Sequence, residues 1–106
     1  MEEKLFNEIF TNVVLWATKL DGFDGAIGGI LENLPCPYEF PEESAKCEEY
    51  TNAMDLAIDT APDFDVKAIV LGDSKELERL HVFAKYKATV IIEAHNKQVA
   101  KSGKER

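Results

Sequence analysis

The chain has 106 residues, 45% hydrophobic and 30% charged, the length and composition of one soluble globular domain with apolar material enough for a core. Its formal net charge is −8, from 20 acidic and 12 basic residues. That balance argues against a nucleic-acid surface, which needs clustered Lys and Arg, and fits a partner with a basic patch or simply a well-solvated exterior. Two cysteines, Cys36 and Cys47, are too few for a disulfide framework. The acidic opening Met1-Glu2-Glu3-Lys4 does not read as a secretory signal, and no apolar run approaches the roughly 18 residues of a membrane span. The expectation is a cytoplasmic protein with no membrane span.

Residues 2–20 read as a helix. Leu5, Phe6, Ile9, Phe10, Val13, Trp16, Ala17 and Leu20 recur at three- and four-residue spacing and form one broad apolar stripe. A sheet is the natural cover for such a face. Trp16 reads as core anchored at its edge rather than as a binding-site aromatic. Asp21-Gly22 then stops the helix. The glycine-rich segment that follows lacks both phosphate-loop spacings, so residues 25–31 are expected to be a strand whose glycines admit a close neighbour or mark a bulge. Residues 34–41 carry three prolines and read as an irregular edge strand or loop. A second helix spans residues 42–61, with Pro41 at its start, Ala45, Tyr50, Ala53, Met54, Ala57 and Ile58 as its stripe, and Pro62 at its end.

The stretch from 66 to 94 decides the fold. Residues 66–71 read as a strand by their β-branched content, and Gly72-Asp73-Ser74 as a turn. Residues 75–87 carry two signals. Ser74 is a good N-cap, residues 75–79 are helix formers, and Leu77, Leu80 and Ala84 share a helical face. Against that, Leu80, Val82, Ala84, Tyr86, Ala88 and Val90 alternate with more polar residues, the rhythm of a half-buried strand. The alternation favours strands at about 77–83 and at 89–94, with His95-Asn96 breaking the second. Residues 96–106 then form a short helix and a basic tail, Lys101, Lys104 and Arg106.

On this order of elements the chain resembles the Roadblock/LC7 family. Gly22-Phe23-Asp24-Gly25-Ala26-Ile27 is similar to that family's opening strand, and residues 68–73, 79–83 and 89–94 are similar to its three-strand meander. The resemblance implies an α+β fold, an αβα sandwich on a five-stranded, mostly antiparallel sheet in the order α-β-β-α-β-β-β-α. It implies one domain over residues 1–96, followed by a short helix and tail over 97–106. It also implies a homodimer, or a dimer with a related subunit, through Tyr50, Met54, Ile58, Ala68 and Val70. A non-catalytic regulator or scaffold for a small GTPase is the role that such proteins commonly take.

No catalytic constellation is legible. A zinc site from Cys36, Cys47, His81 and His95 matches no short metal knuckle. His81 as a general base has no nucleophile or orienting carboxylate that the sequence pairs with it. No cofactor is expected. The alternative function is a small β-α-β domain that binds a metabolite or nucleotide at Gly72-Asp73-Ser74, and it requires residues 75–87 to be helical between two strands.

Overall fold

The computed structural model describes residues 3–19, 23–59 and 61–102, with the backbone alone over 23–27, and among these residues there is no strand. The elements are α1 (Glu3–Thr18), α2 (Phe23–Asn33), α3 (Ser44–Ile58), α4 (Val66–Val70) and α5 (Ser74–Ser102). At about 1.5 Å per residue, the 29 residues of α5 nearly account for the longest dimension of the molecule, 50 Å. α1 and α3 both pack on α5, α2 folds back on α1, and α4 rests on the start of α5.

α1 follows from its stripe. Ile9, Val13, Trp16 and Ala17 are buried, with Leu5, Phe6 and Phe10 half-buried beside them. The cover is α2 and α5 rather than a sheet. Trp16 is core, its ring 6.3 Å from that of Phe83 on α5. Lys19, at φ +60°, ends the helix. Leu20 and the expected Asp21-Gly22 stop lie outside the described residues.

The expected strand at 25–31 is the helix α2. Three glycines argue against a helix by propensity, each by about 0.8–1 kcal/mol, and burial overrides them. Ile30 and, just past the helix, Leu34 lie fully inside. Gly29 allows a close approach to α1, because a Cβ there would stand 2.5 Å from Asn12 Oδ1. Gly28 faces open space, and packing gives no reason for it. The proline-rich stretch that follows is loop and turn rather than an edge strand.

α3 lies where the second helix was expected, trimmed to Ser44–Ile58. Its buried line is Tyr50, Met54, Ala57 and Ile58. Tyr50 and His95, Ala57 and Lys87, and Glu49 and Lys101 meet across the pair, so α3 runs antiparallel to α5.

The expected strand at 66–71 is the short helix α4, whose N-cap Asp65 accepts from the Ala68 N–H at 3.1 Å. Gly72 then takes φ +86°. Its N–H reaches Ile69 O, and the Asp73 N–H reaches Ala68 O at 2.9 Å, the pair of bonds that closes a helix through a left-handed glycine. Asp73 in turn caps α5, its Oδ1 accepting from the Glu76 N–H at 3.0 Å. The cap is therefore Asp73, one residue before the expected Ser74.

The expected strands at 77–83 and 89–94 are one helix with the residues between and after them. Leu80, Ala84, Lys87, Ala88, Ile91, Ile92 and Gln98 are buried, at three- and four-residue spacing. Val82 and Tyr86, which completed the apparent alternation, point outward at 65% and 64% exposure. His95-Asn96 breaks nothing, and α5 continues to Ser102. The α+β class, the αβα sandwich, its five-stranded sheet and the Roadblock/LC7 architecture are thereby corrected, because the segments read as strands are helix or loop. Lys104 and Arg106 lie outside the described residues.

Candidate functional site

A buried convergence of polar groups lies where the end of α2, the middle of α3 and the last third of α5 meet. Tyr50 is buried on α3, and its hydroxyl donates to Leu34 O at 2.6 Å. The same oxygen lies 2.9 Å from His95 Nδ1 on α5. A phenol has one proton, and a carbonyl can only accept. The proton is committed to Leu34, so His95 donates through Nδ1–H to Tyr50. The two rings meet edge to face, with centroids 6.0 Å apart.

Burial favours the uncharged form of both groups at this junction. Burial, with a smaller contribution from the nearby Cys36, pushes the Tyr50 phenol up to about 12, so it stays protonated. Burial lowers the His95 imidazole below its ordinary value, which favours the neutral ring. A cavity of about 190 Å³ adjoins the junction, lined by Leu31, Leu34, Cys36, Tyr50, Thr51, Met54 and Asp55. It is smaller than the roughly 300 Å³ at which ordinary ligand pockets begin.

Two further polar contacts tie elements together. Lys87 is buried on α5, and its Nζ donates to Ala57 O in the last turn of α3 at 3.2 Å, where a cation complements the helix dipole. Near the start of α5, Arg79 clamps the incoming loop. It bonds both carboxylate oxygens of Glu76, donates to Asp63 O at 2.7 Å and lies 4.5 Å from the Phe64 ring centroid. Glu76 also accepts from the Asp65 N–H at 2.6 Å. The Arg79 guanidinium, followed by that backbone bond, holds the Glu76 carboxyl down at about 2.

The residues singled out from the sequence are scattered. Tyr50, Met54 and Ile58 are buried within the chain's own core, Ala68 is half-buried on α4, and Val70 is exposed at its end. Gly72, Asp73 and Ser74 form the joint between α4 and α5, where backbone and carboxylate complete helix ends. The β-α-β reading of that tripeptide is corrected, because α4 replaces the strand before it and α5 continues through the place of the strand after it. Of the four candidate zinc ligands, Cys36 and His95 both approach Tyr50, whereas Cys47 Sγ lies 3.7 Å from Tyr38 O. His81 stacks edge-on against Phe10, with centroids 5.6 Å apart. Among the described residues no three His, Cys, Asp or Glu side chains gather as a metal site.

No local pattern pointed to the Tyr50–His95 pair, whose members stand 45 residues apart. Of the exposed apolar side chains Leu56 on α3, Val70 at the end of α4, Leu71 just after it, and Val82 and Tyr86 on α5, only Val70 had been expected on a docking surface. No helix among the described residues is long and apolar enough to cross a membrane. No family model, curated protein or solved structure matches the chain.

Proposed function

We propose that this chain is a non-catalytic helical interaction domain that associates with a second copy of itself or with a related subunit. The observation that carries this reading is the outward face of α5. Val82 and Tyr86 stand one turn apart on the helix that holds the core together, and both are about two-thirds exposed. Apolar side chains paired at i, i+4 on a surface helix gain from a partner helix and gain nothing from water. The polar junction at Tyr50 supports the same reading, since its groups are committed to one another.

Sedimentation or light scattering tests the proposal. A mass moving with concentration from 11.9 kDa toward twice that value is expected. A single-chain mass at every concentration up to about 1 mM refutes self-association as the function, since even a Kd of about 1 mM would leave visible dimer there.

A further inference from the structure

We infer that the second copy docks along the outer face of α5 in antiparallel register, about a two-fold axis level with residue 84. The inference rests on the self-association reading above and adds to it the surface, the direction and the register.

Positions 75, 79, 82, 86, 89 and 93 alternate four- and three-residue steps, the spacing of a helix–helix seam. They lie opposite the buried line of Leu80, Ala84, Ala88 and Ile91. Lys75, Arg79, Val82, Tyr86 and Glu93 are exposed, and Thr89 is half-exposed. The seam reads the same from both ends in chemistry. Val82 and Tyr86 stand two residues either side of 84, and Lys75 and Glu93 stand nine either side, with opposite charges. A two-fold axis at 84 therefore sets Val82 of one copy on Tyr86 of the other, twice, and Lys75 beside Glu93, twice. Between these layers Arg79 faces Thr89. Arg79 is held by Glu76 and the Asp63 carbonyl, and the Thr89 hydroxyl donates to Lys85 O, so no like charges meet there.

The competing arrangements fail on charge. A parallel pair would set Lys75 on Lys75 and Glu93 on Glu93. The outer face of α3 is another candidate, and around Leu56 it carries Glu48, Asp55 and Asp59, all exposed. Two such faces repel, and the more so in a chain of net charge −8. On the α5 face Lys75, Lys85 and Lys97 offset Glu78 and Glu93, and Arg79 is already paired with Glu76, so two copies can approach on it. The seam spans about 27 Å at 1.5 Å per residue with one apolar pair at its centre, which places the dimer among small, readily reversible interfaces.

Charge exchange on the full chain tests this. Lys75→Glu and Glu93→Lys singly each set two like-charged pairs across the axis, and each should raise the dissociation constant about tenfold. The Lys75→Glu/Glu93→Lys double variant should return to within about threefold of the parent. Val82→Asp should abolish association at about 1 mM, since it buries two carboxylates in the central layer. All of these positions are on the surface, so the far-UV circular dichroism should stay that of the parent; if Val82→Asp fails to fold, the charge exchange decides alone. Single variants that weaken association without rescue by the double overturn the antiparallel register. Dimerisation of all four variants as tight as the parent's overturns the α5 surface and leaves self-association standing. A parent that never dimerises overturns both.

Discussion

Tyr50→Phe isolates the junction of α2, α3 and α5. It removes one oxygen and leaves every ring atom in place. The Leu34 carbonyl then loses its 2.6 Å donor, and the His95 Nδ1–H loses its acceptor at 2.9 Å. The two losses are unequal. Leu34 is 1% exposed, whereas His95 is half-buried and its N–H can turn to water. One stranded buried acceptor costs roughly 1–3 kcal/mol, so a loss of about 2 kcal/mol is expected. In a domain of this size that lowers Tm by roughly 8–16 °C. Urea and thermal unfolding followed by circular dichroism measure it. His95→Phe should cost less, and the double variant should reveal a coupling of about 1 kcal/mol. The pH dependence separates the two groups. The unfolded chain protonates His95 near pH 6.5, while the native ring, its pKa lowered by burial, holds back. The unfolded state thus binds more protons, and stability falls as pH drops from about 6.5 through the lowered native value. Tyr50 acts at the other limb. Its native pKa is raised to about 12, so its contribution is whole below pH 10 and is lost as pH rises from 10 toward 12. His95→Phe should flatten the acid limb and Tyr50→Phe the alkaline one. A Tyr50→Phe protein within about 0.5 kcal/mol of the parent, a change typical of inconsequential surface sites, would refute the junction.

Four other outcomes follow from local geometry. Gly72→Ala should cost about 1 kcal/mol through its backbone alone, because φ is +86° and nothing lies within 4 Å of the added methyl; a neutral result in urea unfolding would deny the glycine-closed end of α4. Gly28→Ala should stabilise α2 by about 0.8–1 kcal/mol, while Gly29→Ala should give back much of that gain as Asn12 is displaced from Glu8 O; equal gains in thermal melts would contradict the close approach of α1. Arg79→Ala should release the loop at residues 61–65, seen as faster amide exchange and proteolysis there with the core unchanged. In the parent, an NMR titration should find Glu76 still ionised at pH 3, its stabilising contribution present above about 4.5 and lost as pH falls toward 2.

Some of this architecture was legible in the sequence, and the rest was hidden for identifiable reasons. α1 declared itself through a stripe of which the structure buries Ile9, Val13, Trp16 and Ala17 and half-buries Leu5, Phe6 and Phe10. α3 did so less sharply, because its outward side carries Leu56 among the acids. The joint at Gly72-Asp73-Ser74 was readable as a turn, since left-handed glycine and a capping side chain are local chemistry. α2 was hidden because its glycines oppose a helix while tertiary contact with α1 favours one. α5 was misread because Val82 and Tyr86 supply apolar residues where a lone helix would carry polar ones. The stripe that began at Leu77, Leu80 and Ala84 did continue through Ala88, Ile91 and Ile92, and that three-and-four rhythm was the available signal. The side chains that broke the pattern are the ones for which the structure offers no intramolecular cover.

α2 packs chiefly on α1, with a bond from Tyr50 to Leu34 just past its end, whereas α5 is gripped from two sides by α1 and α3. The molecule should therefore come apart in order, its second helix swinging away as a flap while the centre of the long helix, around Ala84 to Ile92, stays closed until everything else has gone. A partner seated on the back of that helix would be holding the most enduring part of the chain, and its grip would survive the comings and goings at the opposite edge.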